Sequence, residues 1–220
     1  MGALFAAQLN SGMNAAWILC YLGHAPKWQS LALAEIKQIA AKYNTDNSLP
    51  LLDQLPNIPV EAWESDFVVL DACLRDSIRL QLLGTAFRRN VSGKDLHVGD
   101  EVVPNGAFVT YHLGDTHQDS ALFPDPEQWD PSRHLDENAA YRKVPHGYAG
   151  WGSGRHPCLG MRFAKLEMSV VLAYFVAAFE FQTVEKDGSR MEKLPKVDQN
   201  GHAAMKPRTP VFLKVKERTT

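Results

Sequence analysis

Cys158 lies in the run Trp151-Gly152-Ser153-Gly154-Arg155-His156-Pro157-Cys158-Leu159-Gly160, where three glycines and a proline crowd one thiol just ahead of an apolar stretch. Glycines let the backbone turn back on itself and let a flat ligand approach closely, and Pro157 stiffens the bend. At a helix N-terminus the unpaired N–H groups and the dipole favour a thiolate, and basic Arg155 and His156 act in the same direction. A thiolate is a nucleophile or a soft metal ligand. A Cys–His nucleophile pair with His146 or His156 is the rival chemistry, but no third, orienting group is apparent in the sequence. His112, His117 and His134 have a spacing that fits no helical or finger-type metal site, and they read as loop histidines.

Two further sets of polar residues stand out. Asp76 and Arg79 are three residues apart in an apolar-periodic stretch, so they share a helix face. Downstream, residues 123–133 read Phe-Pro-Asp-Pro-Glu-Gln-Trp-Asp-Pro-Ser-Arg, ending at Arg133. Near the start, Gln8, Asn10 and Asn14 interrupt an otherwise apolar run, either as hydrogen-bonding groups within a packed helix or as groups turned toward a ligand.

These residues need elements to position them. The pattern predicts an apolar helix over 4–22 that Ala25-Pro26 stops. A charged amphipathic helix over 28–43 follows, with Leu31, Ile36 and Ile39 inward. A loop rich in Asn, Asp and Pro spans 44–59. Apolar residues at 69, 73, 74, 78 and 82 predict a helix over 61–83. Short strands follow at 87–91, 95–98, 101–103 and 108–111 with glycine turns between them. An aperiodic meander covers 113–149, and a loop this long in a compact domain is usually functional. A second strongly apolar helix is predicted over 161–181, then a terminal sheet over 182–217 with turns at 186–188 and 200–201. The fold class is mainly α with small β-sheets, α+β, with helices leading and sheets trailing.

Composition excludes several functions. With 45% apolar residues and a net charge of -2 the chain of 220 residues is not globally disordered. Its 23 Lys+Arg face 25 Asp+Glu, which gives no electrostatic footprint for nucleic acid. Cys20, Cys73 and Cys158 are too few and too scattered for a disulfide framework and read as reduced thiols in a cytosol-facing protein. The first 23 residues lack a basic leader region and carry too many polar groups for a signal peptide or a membrane span. Met1-Gly2 opens like a myristoylation site, but Ala6 stands where Ser or Thr is needed.

The run 151–160 resembles the heme-binding loop of the cytochrome P-450 family, which has an aromatic residue, glycines, a basic residue two before the Cys and a glycine two after. The resemblance implies that Cys158 is the axial thiolate ligand of heme b (iron protoporphyrin IX) and donates electron density to the iron. It implies that His156 meets a propionate, that Gly152 and Gly154 shape the loop, and that Gly160 lets the next helix approach the heme. Trp151 stands where the family usually has Phe, and its indole N–H is available to the sulfur. Asp76-Ser77-Ile78-Arg79 resembles the Glu-x-x-Arg of the family's K helix, one methylene short at the acid. With Arg133 in the family's Pro-x-Arg region, Asp76 and Arg79 would form a buried charge triad that holds the meander to the heme loop.

Pro26 sets the register of the first helix against the family's I helix. It places Leu9 on the acid position and Asn10 on the alcohol position, making them the catalytic candidates. Leu9 cannot relay a proton, whereas the Asn10 amide can hydrogen-bond. An Asn there resembles the subgroup of sterol 7α-hydroxylases and prostacyclin synthase, which holds both monooxygenases and an isomerase needing no external electrons. Leu83, Thr85, Ala86 and Phe87 fall where the family's loop meets substrate, as does a hairpin near 201–204. Arg88 or Arg89 falls on a propionate-binding position. Arg142, Lys143, Arg155, Arg162 and Lys165 would form a docking face for an acidic electron-transfer partner.

The implied function is a heme-thiolate monooxygenase acting on a lipophilic small molecule, with electrons from an NADPH-dependent flavin reductase at the cytosolic face of the endoplasmic reticulum membrane. A heme-thiolate isomerase or dehydratase, or a non-catalytic remnant, are the alternatives. The resemblance runs over about 4–208 and covers the C-terminal half of the family's fold, from the I helix onward. Residues 1–220 are therefore read as the heme-binding portion, without the N-terminal half and its membrane anchor.

Overall fold

The computed structural model describes residues 2–46, 48–82, 84–198 and 205–218, the stretch 2–8 as backbone only. Helix α1 spans Gly2–His24 and α2 spans Pro26–Tyr43, with Ala25 alone between them. Pro26 both ends one helix and starts the next. It pushes Ala25 out of the helical region, to φ -118 and ψ 79, while its own fixed φ suits a first helical position. The buried stripe of α2 runs through Gln29, Ala32, Ile36, Ile39 and Ala40. Leu31, expected inward, is 40% exposed, because Ala32 takes the position in register with Ile36 and Ile39.

The expected loop over 44–59 contains α3, Leu51–Gln54, and a 3-10 turn, Leu55–Asn57. Pro50 accepts the N–H groups of Asp53 and Gln54, and Leu55 is buried at 1% exposure. That one apolar anchor winds the segment despite its turn-rich composition. The single helix expected over 61–83 is two: α4, Val60–Ser65, and α5, Val68–Gln81. The break is fixed from α2. Glu35 accepts the Val69 N–H at 2.6 Å and the Leu70 N–H at 3.0 Å, satisfying donors that open α5, and Lys42 and Tyr43 hold the Asp66 carboxylate.

After α5, strand β1 (Thr85–Arg89) pairs antiparallel with β4 (Phe108–His112), Thr85 opposite His112. β2 (Leu96–Val98) pairs with β3 (Glu101–Val103) across a turn in which Gly99 has φ 59. β1 thus starts two residues before the predicted strand and ends two before its predicted end. The meander over 113–149 holds three short helical pieces: α6 (Leu113–His117), α7 (Ser132–Leu135) and a 3-10 turn (Ala140–Lys143). Helix α8 is Met161–Ala178, and residues 179–181, predicted helical, open strand β5, Phe179–Val184. Pairing with β6, Phe212–Glu217, wins over helix propensity there, since it buries Phe181 and Val184. The turn expected at 200–201 and the hairpin at 201–204 lie outside the described residues.

One core joins α1, α2, α4, α5 and α8 through Ile18, Leu22, Ile36, Trp63, Leu70 and Leu172. A smaller cluster of Trp17, Tyr21 and Leu80 meets the meander. Trp129 stacks on Tyr21 at 5.2 Å with planes 7° apart, and its Nε1–H donates to Ser77 Oγ at 2.9 Å. The architecture is helices with small antiparallel two-stranded sheets. Phe87, Phe108, Leu159 and Phe163 are among the large apolar side chains left exposed.

Candidate functional site

Asp76 and Arg79 are fully buried on α5, with Arg79 Nε 2.7 Å from Asp76 Oδ1. The rest of the guanidinium donates to three meander carbonyls: His117 at 2.9 Å, Pro126 at 2.5 Å and Gln128 at 2.9 Å. The Asp76 carboxylate also accepts the Asp130 N–H at 2.6 Å. The shorter acid therefore costs no partner. Arg133 reaches the same carboxylate, as the resemblance implied, but more loosely than Arg79. Its Nε lies 3.9 Å from Asp76, while its terminal nitrogens donate to the Pro124 and Asp125 carbonyls. One more group on Asp76 is His134, 3.2 Å away, which the sequence pattern places in a loop. Its position next to Arg133 was the available signal.

Burial pushes the Asp76 carboxyl up, but the His134 hydrogen bond and the Arg79 charge outweigh it and hold the group below the ordinary aspartate range. Burial pushes His134 down, with Asp76 opposing. His117 is driven to about 4, by burial first and then by Arg79. Its Nε2 accepts the Ala149 N–H at 3.0 Å, which fixes it as a neutral ring at the foot of the thiol loop. Neither His117 nor His134 is a loop group in contact with solvent. Among the described residues no three His, Cys, Asp or Glu side chains converge as a metal site.

The thiol loop is built on tight backbone contacts. Cys158 N–H donates to the Trp151 carbonyl at 2.7 Å, and Gly152 N–H donates to Ala149 at 2.9 Å. Gly152 has φ 76, and a Cβ there would come 3.4 Å from the His156 carbonyl oxygen. Cys158 is exposed. It precedes α8 rather than opening it: Gly160 is the N-cap, and Met161 N–H reaches back to the Cys158 carbonyl at 3.3 Å. Among the described residues a Cβ on Gly160 would meet no atom within 4 Å, so this glycine borders open space. Trp151 packs against the main core, and its indole makes no hydrogen bond to the sulfur among the described residues.

Two grooves flank Cys158. One, of about 430 Å³, runs between Asn10 and Asn14 of α1, Ile78 and Leu82, and the loop residues Trp151 and Gly152. The other, of about 400 Å³, continues over Gly160 and Phe163, again with Asn10 and Asn14 opposite. Asn10 and Asn14 are four apart and so share a face. Asn14 Nδ2 donates to the Asn10 carbonyl at 2.9 Å, and its Oδ1 is buried without a partner among the described residues. Leu9 is 37% exposed and belongs to neither groove wall.

A third cavity, of about 710 Å³, adjoins the loop and shares His156 and Gly152 with the first groove. Strand alternation decides who reaches it. Ala86 and Arg88 line it, together with Gly154. Thr85 and Phe87 lie on the opposite face, with Phe87 59% exposed, and do not line this cavity; Leu83 lies outside the described residues. Arg89 turns away as well, donating to the Gly106 carbonyl at 3.1 Å and standing over Phe108. Three of the five basic residues around the loop already have partners: Arg142 on the His134 carbonyl, Arg162 on Glu64 and Lys165 on Asp71.

The family model for cytochrome P450 matches residues 1–214. Cytochrome P450 monooxygenase dmxR5 of Cryptosporiopsis sp. is 37% identical over 207 residues, covering 94% of this chain and 39% of that protein. Cytochrome P450 monooxygenase AacuE of Aspergillus aculeatus is 37% identical over 190 residues, 86% of this chain and 38% of the relative. Abscisic acid 8'-hydroxylase CYP707A1 of Solanum lycopersicum is 32% identical over 184 residues, 84% and 36% respectively. The chain thus spans less than two fifths of the length of each of these relatives.

Proposed function

The chain belongs to the cytochrome P450 family, and on that premise we propose that it carries the thiolate-bearing part of a heme-dependent monooxygenase that oxidises a lipophilic organic molecule. The observation that carries the reading is the exposed Cys158 thiol set between two grooves with the same two asparagines opposite it. The residues suit a flat macrocycle. A soft sulfur donor faces space bounded by Trp151, Phe163 and Ile78, a glycine borders that space with no atom to block it, and basic Arg88 and His156 stand at the adjoining cavity. Heme b, when bound, supplies oxidation of an unactivated carbon with dioxygen as the oxidant, and thiolate donation favours O–O cleavage.

The chain's own residues have distinct tasks. Cys158 would serve as the sulfur donor to the iron, held by its N–H bond to the Trp151 carbonyl. Arg88, with its partner Arg89 committed elsewhere, and His156 would bind the carboxylates. Asn10 stands across the groove from Cys158, where an amide can hydrogen-bond a hydroxyl or a water; Leu9 has no proton to give. Asp76, Arg79 and His134 lock the meander onto α5 and so fix the loop that carries the sulfur. The names of the 37% identical relatives favour a monooxygenase over an isomerase of the sterol 7α-hydroxylase and prostacyclin synthase subgroup, despite Asn10.

Electrons would come from an NADPH-dependent flavin reductase, and the whole protein would work at the cytosolic face of the endoplasmic reticulum membrane. Among the described residues no helix is long and apolar enough to cross a membrane. The test is the reduced carbon-monoxide spectrum of the heme-loaded chain. A red-shifted thiolate-type Soret band is expected, and Cys158→Ser should abolish it. An unchanged band in that variant would refute the assignment.

A further inference from the structure

We infer that His146 and Ser153 complete a carboxylate-binding site with Arg88 and His156 in the cavity beside the thiol loop. The inference rests on the heme-thiolate reading above and adds to it two residues that the sequence motifs do not mark. Three basic side chains from separate stretches converge on the cavity: Arg88 from β1, His146 from the end of the meander and His156 from the loop. His146 is held in an unusual way. Its φ is 62, in the left-handed region that non-glycine residues avoid. Gly147 N–H closes the turn onto the Val144 carbonyl at 3.0 Å. Across the loop, His146 Nδ1 and Ser153 Oγ are hydrogen-bonded.

That bond fixes the ring and leaves Nε2 without a partner among the described residues, on a side chain that lines the cavity. With the serine O–H donating to Nδ1, Nε2 carries the ring proton and donates outward, so a neutral imidazole suffices. Arg88 supplies the permanent charge; its Nη1 donates to the Phe87 carbonyl at 2.8 Å, and a guanidinium carries further N–H donors for a carboxylate. Asp119 is the acidic residue on the same wall; its Oδ1 accepts the Ala121 N–H at 2.8 Å and so has a local partner. Ala86, Leu113 and Val144 make the remaining wall apolar, which suits a carboxylate carried on an apolar body. That carboxylate belongs either to the prosthetic group or to a substrate.

Transfer of the cofactor to excess apomyoglobin distinguishes the two sources. The chain is loaded with heme b or with its dimethyl ester, which lacks free carboxylates. His146→Asn keeps a residue tolerant of positive φ and removes Nε2; Ser153→Ala releases the ring. If the site holds the cofactor's carboxylate, His146→Asn loses heme b about tenfold faster, Ser153→Ala less so, and loss of the ester is unchanged. If it holds a substrate carboxylate, cofactor loss is unchanged but dodecanoate binds about tenfold more weakly in a spectral titration. Equal acceleration for heme b and its ester, or a lowered melting temperature of the ligand-free variant, would show a purely structural role and overturn the site. No change in any of these readouts would overturn it as well. A parent chain that takes up no heme b overturns the heme reading itself and this inference with it.

Discussion

His134 Nε2 stands 3.2 Å from the Asp76 carboxylate, and both side chains are buried. This contact ties α7 to α5 and turns what would be a local helix pair into a long-range knot. The other ring nitrogen of His134 meets the Tyr141 hydroxyl at 3.0 Å, so the knot extends to the 3-10 turn at Ala140–Lys143. A buried carboxylate with one cation is a costly object. With a cation, an imidazole and a backbone N–H it is satisfied on both oxygens.

Arg79 is the least replaceable member of that knot. Its guanidinium serves Asp76 and three meander carbonyls at once. Lysine keeps the charge but is a point donor that cannot span those acceptors. Arg79→Lys should therefore lower unfolding stability by about 3–5 kcal/mol, the cost of leaving a buried carboxylate and carbonyls under-satisfied. Urea unfolding of the variant beside the parent chain measures this. A midpoint within experimental error of the parent's would show that the carbonyl contacts contribute nothing.

How much of this was legible in the sequence follows from the range of each interaction. The thiol loop is a local pattern that the sequence exposes; the Asp76–Arg79 spacing is local too, but alone it reads equally as a solvated surface pair, and only the family resemblance marks it as buried. The break between α4 and α5 is not local: Glu35 imposes it from thirty-odd residues upstream, and periodicity runs through it unbroken. The choice between Arg88 and Arg89 depends on which face of β1 meets the loop, and that is set by pairing with β4. Leu31 and Ala32 could not be ranked without knowing where α2 faces α8 and α5.

Acid should loosen the molecule in a defined window. His117 is near 4 when folded and near its ordinary value, about 6.5, when unfolded. Below pH 6.5 the unfolded chain gains a proton that the folded chain refuses, so stability falls as pH drops toward 4, by up to about 3 kcal/mol. His134, also lowered, adds to the slope in the same direction. Asp76, lowered in the fold, withdraws its contribution only further down, as pH falls through its folded value. His117→Gln can still accept the Ala149 N–H and does not titrate. Its stability should be flatter between pH 7 and 5; a slope equal to the parent's would remove His117 from the explanation.

Two glycines near the thiol should separate folding from ligand capture. A Cβ at Gly147 would collide with the Tyr141 carbonyl oxygen, which is backbone and cannot swing aside. Gly147→Ala should cost about 1–3 kcal/mol in stability. Gly160 has ordinary backbone angles, φ -90 and ψ 5, and among the described residues a Cβ there meets no atom within 4 Å. Gly160→Ala should leave the ligand-free chain within about 0.5 kcal/mol of the parent. Yet Gly160 borders the groove that Cys158 faces, so the added methyl would sit where a macrocycle must approach. Heme affinity in Gly160→Ala should drop about tenfold while urea unfolding is unchanged. The two variants measured side by side decide the matter: full-strength heme uptake by Gly160→Ala would mean that the groove over α8 is not where the cofactor lies.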